Sequence, residues 1–173
     1  MIDPTVAIFE EMLTAPPGKL SAGDAVIANR LPPQVRRNLL SVGLTPPPGM
    51  AEHYQQSFTR MMEMIGMMYR AGIPMEDGTD SMAGFALHRE LELDVQAGIP
   101  ANKALQDATL NAARIMKLDH DLGSIEPGKL ADLTLLNGNP VENISDVRKT
   151  ALVVKNGIIY KPQELYSALG VAP

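Results

Sequence analysis

Residues 123–132 read GSIEPGKLAD and stand where the chain changes from helical periodicity to short strands and tight turns. The glycines allow positive φ at turns, and Pro127 fixes the bend between them. We expect Lys129 and Asp132 to pair locally. The leucines that follow alternate toward a predicted sandwich core: Leu130, Leu133 and Leu135.

Downstream of this run, the pattern predicts a small β unit over residues 119–173. Residues 132–136 predict a strand that ends at a turn. Two further strands, residues 150–155 and 158–160, flank Asn156-Gly157. Asn-Gly between two apolar runs is the strongest short-range signal for a two-residue hairpin.

Helical periodicity dominates residues 1–118, which we predict to form an α/β body. The longest predicted helix covers residues 51–71, and shorter ones cover 84–97 and 101–116. Prolines punctuate residues 14–50 and leave room for short elements only, so this part is predicted to be a surface excursion. The apolar stripe of the longest helix indicates core packing rather than a thioether metal site: Phe58, Met61, Met62, Ile65, Met68 and Tyr69.

Length and composition bound the function. The chain has 173 residues, a length that favours one domain or one domain with a small appendage, and its net charge of −5 argues against a nucleic-acid partner. It contains no cysteine, which excludes disulfide scaffolds and cysteine-ligated zinc modules. No apolar run approaches the ~20 residues of a transmembrane helix, so no membrane partner is expected. The N-terminus lacks the features of a signal peptide. We expect that the given sequence starts in the middle of a fold, after the first elements of that fold.

The order of these pieces resembles the C-terminal part of the metal-dependent amidohydrolase superfamily, in particular its imidazolonepropionase-like and prolidase-like branch. The run at residues 123–132 is the most specific match, and Gly78-Thr79-Asp80 resembles the end of the eighth barrel strand. The resemblance extends over most of the chain from residue 70 onward. Further matching pieces are Pro4-Thr5, Gly72-Ile73-Pro74, His88 with Glu90 and Leu91, Ala97-Gly98-Ile99, Ala104-Leu105, Ala108-Thr109, Asn111-Ala112-Ala113, Gly138-Asn139-Pro140 and Lys155-Asn156-Gly157.

This resemblance implies a fold and a chemistry. The fold is the C-terminal portion of a (β/α)8 TIM-type barrel over residues 1–118, followed by β-sandwich strands over residues 119–173. The active site of such a barrel lies at the carboxyl ends of its strands. There a divalent metal, usually zinc, activates a water that attacks an amide or ester-like carbonyl. The implied substrate is a small amide, cyclic amide or dipeptide-like molecule.

Asp80 is the residue that the resemblance places in catalysis, as the metal ligand of strand eight and as general base and then acid. Outside that context, Gly78-Thr79-Asp80 would be an ordinary turn. His88 follows by eight residues, and either contacts substrate or is a solvated helix residue. The other ligands implied by the family have no counterpart, because none of the three histidines forms an HxH pair.

The predicted strand also departs from the family pattern. Met75-Glu76-Asp77 stands where a buried strand would be apolar and small. Two acids there would be costly to bury unpaired, so either a cation from elsewhere covers them or the strand end is exposed. Glu76, Asp77 and Asp80 together are alternatively a site for a hard cation such as Ca²⁺ or Mg²⁺.

Two functions of different classes follow. The chain is either the C-terminal portion of a hydrolase acting on C–N bonds, inactive when isolated, or a catalytically inactive accessory or binding module. A third arrangement has the missing barrel half supplied by another chain. Unpaired apolar edges would then favour self-association of the isolated polypeptide.

Overall fold

Helices occupy the first two-thirds of the chain and a small antiparallel sheet follows, in a computed structural model that describes residues 1–82 and 84–171. The sheet has the order β1-β2-β3. Its strands are β1 (Leu133–Leu136), β2 (Thr150–Lys155) and β3 (Ile158–Tyr160). The α-helices are α1 (Val6–Thr14), α2 (Ala22–Ala25), α3 (Pro33–Leu39), α4 (Ala51–Arg70), α5 (Ala86–Gln96), α6 (Ala101–Gln106), α7 (Ala112–Ile115) and α8 (Pro162–Leu169). Shorter 3₁₀ turns lie at Ala28–Arg30 and Ile144–Arg148.

The strongly periodic helices form where the sequence predicts them. Helix α4 begins at Ala51 and ends at Arg70, and Gly72 follows with φ +73°, the left-handed backbone that commonly ends a helix. Helix α5 matches the prediction for residues 84–97 within two residues. The helix predicted over residues 101–116 contains a π turn at Asp107–Asn111 that separates α6 from α7.

The predicted hairpin is also confirmed. Strands β2 and β3 pair antiparallel around Asn156 and Gly157, whose φ values are +52° and +75°. Gly123 has φ +87°, and a Cβ there would lie 2.7 Å from the Cβ of Ala113, so the loop approaches α7 closely only because this residue is glycine.

The local ion pair expected in the same run is wrong. Lys129 donates to the carbonyl of Asp119 at 2.6 Å and lies 3.6 Å from the carboxylate of Glu126. Asp132 instead pairs with Lys155 and accepts from the backbone N–H of Asn156 at 3.1 Å. The loop therefore closes around Lys129, and Asp132 caps the hairpin.

The main core lies where α1, α4, α5 and α6 meet. The predicted stripe of α4 packs into it, with Ile65 buried and Phe58, Met61, Met62 and Tyr69 partly buried. This confirms that the stripe serves core packing. The buried members contributed by the other segments are Val6, Ala7, Met75, Leu91, Leu93, Ile99, Ala104, Ile144 and Val147.

The proline-rich residues 14–50 do more than cover the surface. Ile27, Leu31 and Leu39 form a second buried cluster, against which Phe85 packs from the start of α5. The prediction of short elements is correct, because α2, α3 and a 3₁₀ turn lie between the prolines. The prediction of a surface excursion is incomplete, because this part has an apolar cluster of its own.

The apolar face of the sheet is exposed. Leu135, Ile159 and Leu130 are 61%, 61% and 57% exposed, and Leu133 is 36% exposed. The predicted sandwich core beneath these leucines is therefore absent from the described residues. Outside the three-stranded sheet, the described part of the chain contains an isolated parallel bridge between Ile2 and Met75. Residues 172 and 173, at the end of the predicted β unit, lie outside the described residues.

No helix in the described ranges is long and apolar enough to span a bilayer.

Candidate functional site

The segment that carries Asp80 is held by the parallel bridge between residues near the N-terminus and those that follow α4. Ile2 donates its N–H to the carbonyl of Pro74 at 3.0 Å, and Glu76 donates to the carbonyl of Ile2 at 3.1 Å. The two segments therefore run side by side and end at the same edge. We call residues 78–81, which lie just beyond this bridge, the Asp80 loop.

The first anchor of the Asp80 loop is Asp3. Its carboxylate accepts the backbone N–H of Gly78 at 2.9 Å. A Cβ at position 78 would lie 2.2 Å from one of the carboxylate oxygens of Asp3, so glycine is required for this approach. A side chain of any size at this position would push Asp3 away and free the start of the loop.

The second anchor is Glu11 of α1, which is buried and accepts the hydroxyl of Ser81. Burial raises the pKa of Glu11, and the Ser81 hydrogen bond opposes that rise. The anchors bracket Asp80, whose side chain is exposed and whose φ is +40°. Aspartate tolerates this left-handed backbone better than most residues. The loop thus presents a solvent-accessible carboxylate from a backbone tied at both ends.

His88 lies in the first turn of α5 and is half-buried. Burial lowers its pKa, and the nearby guanidinium of Arg148 lowers it further, while Glu92 opposes both. The charged groups that act on His88 therefore come from α5 and the 3₁₀ turn Ile144–Arg148, and the imidazole is neutral at neutral pH. The described contacts do not bring His88 together with Asp80, and substrate binding by His88 stays a prediction.

A buried ionic network lies behind this region. Arg89 of α5 binds both carboxylate oxygens of Glu10, at 2.6 and 2.9 Å, and donates to Glu92 at 3.0 Å. Arg148 completes the network with two hydrogen bonds to Glu92, at 2.7 and 3.0 Å. Burial alone would raise the pKa of Glu92, but the bonds from Arg148 and Arg89 hold it at about 2. Two cations thus balance two carboxylates and join α1, α5 and the 3₁₀ turn.

Glu90 fixes the entrance to α1. Its side chain is fully buried, and its two oxygens accept the N–H groups of Val6 and Ala7 at 2.6 and 2.7 Å. These donors belong to the first turn of α1, where backbone N–H groups have no partner within the helix. Burial raises the pKa of Glu90 to about 7, although both hydrogen bonds lower it. Glu90 therefore orients α1, which carries Glu11 to the Asp80 loop.

The described residues do not fit a complete metal centre. No group of three histidine or carboxylate side chains within residues 1–82 and 84–171 is placed to hold a metal ion. The interpretation of Glu76, Asp77 and Asp80 as a hard-cation site is wrong, because both oxygens of Asp77 are buried while Asp80 is exposed. Asp80 is accordingly at most one ligand of a centre that needs further residues.

Sequence reasoning missed the residues that position the Asp80 loop. Asp3 and Glu11 lie 75 and 70 residues away from their partners Gly78 and Ser81. A single acid in a chain that contains 20 of them carries no sign of such a distant partner. The one local hint is that Asp3 directly precedes Pro4-Thr5, a piece already singled out for its resemblance.

Comparison with known proteins identifies the family of this chain. The model of the amidohydrolase family matches residues 42–160, more than half of the chain. Among curated proteins, adenine deaminase of Clostridium botulinum is 33% identical over 75 residues, which are 43% of this chain and 12% of the relative. Adenine deaminase of Desulforamulus reducens is 41% identical over 63 residues, covering 36% of this chain and 10% of the relative.

Solved structures are similar over nearly the whole chain. A Xaa-Pro dipeptidase with methionine bound in its active site has a TM-score of 0.62 and 27% identity over 92% of this chain. A putative prolidase from Bifidobacterium longum has a TM-score of 0.56 and 26% identity over 96% of this chain. The chain spans 34% and 37% of these two proteins, so it corresponds to about a third of each. The extent of the family match shows that this chain belongs to the amidohydrolase family.

Proposed function

We propose that this chain is the C-terminal portion of a hydrolase that cleaves a C–N bond in a small amide, cyclic amide or dipeptide-like substrate. The observation that carries the proposal is the Asp80 loop, which Asp3 and Glu11 hold at both ends so that the Asp80 carboxylate faces solvent. Membership of the amidohydrolase family supports the reaction class. The similarity of the Xaa-Pro dipeptidase over most of the chain favours a dipeptide-like substrate.

In this proposal Asp80 moves a proton between the attacking water and the leaving group. Asp80 accepts a proton as the water oxygen bonds to the carbonyl carbon. It returns that proton to the nitrogen as the C–N bond breaks, so that one carboxylate acts as base and then as acid. Residues 1–118 would belong to the TIM-type barrel that presents this group, and residues 119–173 to the attached β-sandwich.

We further propose that a divalent metal, zinc by preference, is held mainly by residues outside this chain, with Asp80 as one ligand. Amidohydrolases generally use divalent metals, but the described residues supply no group of three ligands. A catalytic zinc site needs about three protein ligands. The isolated chain is therefore expected to be inactive, and no step is assigned to a metal on this chain.

Metal content tests this division of ligands. The purified chain, incubated with zinc and desalted, should retain almost no zinc by inductively coupled plasma mass spectrometry. An Asp80→Ala variant treated in parallel should give the same value. Stoichiometric zinc in the wild type that is lost in Asp80→Ala would contradict the proposal, because the chain would then assemble a centre by itself.

The alternative is a catalytically inactive accessory or binding module, which the lack of a metal-ligand cluster in the described residues favours. The genomic sequence upstream of Met1 separates the two. A continuous open frame that encodes an HxH pair and two further histidines supports the hydrolase. A start signal at Met1 with no such frame upstream supports the accessory module.

The exposed sheet face gives a prediction for the isolated chain. Leu135 and Ile159 lie on the same face and are each 61% exposed, so that face should associate with another copy or with a missing barrel half. Light scattering should show oligomers or aggregates, and Leu135→Thr/Ile159→Thr should reduce them. Leu169→Thr, at an exposed leucine of α8, is the matched control and should not. A wild type that is monomeric at modest concentration would refute the prediction.

A further inference from the structure

Two buried carboxyl groups, those of Asp77 and Asp94, meet without a donor. All four of their oxygens are buried, and none has a hydrogen-bond partner in the described part of the chain. Asp94 is 1% exposed and lies in the third turn of α5, while Asp77 directly precedes the Asp80 loop. An orphaned buried acceptor loses its hydration without gaining a partner, so such a pair requires an explanation.

The surroundings of the pair are acidic. Asp3 and Asp107 lie close enough to Asp77 to disfavour its ionisation, and Glu90 and Asp107 do the same to Asp94. The positive charge of Lys103 lowers the pKa of Asp107 and opposes the effect of burial there. The two oxygens of Glu90 accept backbone N–H groups of α1 and donate nothing to the pair. The acids therefore reach the pair from the N-terminal segment, α5 and the π turn. Burial raises the pKa of both carboxyls. The charge of Asp94 adds to the rise at Asp77, while the contact with Asp77 opposes the rise at Asp94.

Two carboxylates in contact cannot both be charged in such a place, because a neighbouring negative charge and burial each favour protonation. A single proton between them removes one charge and turns an acceptor into the missing donor. A metal ion is a poorer explanation, since no group of three ligands surrounds any point in the described residues. We propose that Asp77 and Asp94 share one proton in the folded chain at neutral pH, which fastens the segment preceding the Asp80 loop to α5.

The sign of the effect follows from linkage. In the unfolded chain both aspartates ionise near their ordinary value of 3.8, whereas the folded pair keeps a proton. The stabilisation is thus present in full below pH ~4 and is lost as pH rises through the raised value of the folded pair. Alkaline conditions should loosen the attachment of the Asp80 loop to α5, and mild acid should tighten it.

Urea unfolding of the full chain between pH 5 and 9 tests the shared proton. Asp77→Asn replaces the shared proton by a permanent amide donor facing Asp94. The folded-to-unfolded ratio of the wild type should fall more steeply with pH than that of this variant, by about tenfold per pH unit for one proton. Asp94→Asn should give the same reduction, and the double variant should remove no more than either single one. Glu76→Gln, at the adjacent acid of the same segment, is the matched control and should keep the wild-type slope.

Equal slopes in the wild type and Asp77→Asn would overturn the proposal, as would additive losses in the double variant. A second measurement needs no variant that folds. Infrared spectra of the wild type with ¹³C-labelled aspartate carboxyls should show a protonated-carboxyl band at pH 7 that disappears at higher pH. Labelling of aspartate alone excludes a contribution from Glu90. Absence of that band at pH 7 would also overturn the proposal.

Discussion

Asp80→Asn should lower turnover by about 10²–10⁴-fold in an active hydrolase in which this chain is joined to a barrel portion that supplies the remaining metal ligands. Asparagine has nearly the shape of aspartate but cannot accept the proton of the attacking water. KM should change less than kcat, because the proposed task of Asp80 is proton transfer rather than substrate binding. Hydrolysis of a panel of Xaa-Pro dipeptides, with adenine as the competing substrate class, measures both parameters.

The controls for this experiment separate catalysis from folding. Asp119→Asn, at an exposed acid outside the Asp80 loop, should leave turnover unchanged. Thermal unfolding of Asp80→Asn should coincide with that of the parent, because the Asp80 side chain is exposed. Full activity in a stable Asp80→Asn enzyme would refute the role of Asp80. Inactivity of the parent toward every substrate in the panel would refute the choice of substrates instead.

Local patterns carried most of what the sequence could predict about the fold. The apolar stripe of α4 and the Asn156-Gly157 hairpin were predicted within a residue or two, since both depend on neighbours less than five residues apart. The π turn at Asp107–Asn111 was not predicted. One extra residue in a single helical turn leaves the pattern of apolar and polar residues almost unchanged, so the sequence predicts one continuous helix. Helix α1 and helix α8 were also missed, because 9 and 8 residues give too few turns for a helical period to stand out.

Sequence reasoning selected Asp80, whose catalytic role stays a prediction, and missed the residues that support its loop. The sequence placed Asp80 at the end of an extended segment, and the structure finds it beyond the Ile2–Met75 bridge. The supports come from contacts across 70 or more residues, such as Glu11 with Ser81. Only the folded chain reveals such contacts. The acids at 76 and 77 were recognised as anomalous, and the exposed strand end is wrong for Asp77, whose oxygens are buried and have no hydrogen-bond partner among the described residues. A cation supplied from outside this chain stays a prediction.

The buried network of Glu10, Arg89, Glu92 and Arg148 is the feature whose disruption should cost the most stability. The side chains of Arg89 and Glu10 are 15% and 6% exposed, so water can replace little of what each provides to the other. Gly23 packs directly on Arg89, where a Cβ would lie 2.7 Å from the Cγ of the arginine. Removing one charge therefore leaves its partner buried without a counter-ion.

Arg89→Ala should lower the free energy of unfolding by about 3–5 kcal/mol, because Glu10 would remain buried without its counter-ion. Glu10→Gln/Arg89→Met, which removes both charges and keeps the volume, should recover most of that loss, since no uncompensated charge is left. Arg60→Ala breaks an ion pair whose side chains are 78% and 52% exposed, and should leave stability nearly unchanged. Urea denaturation at pH 7 measures all three variants. If the double variant were no more stable than Arg89→Ala, the cost would come from the lost hydrogen bonds of the Arg89 guanidinium rather than from the stranded carboxylate.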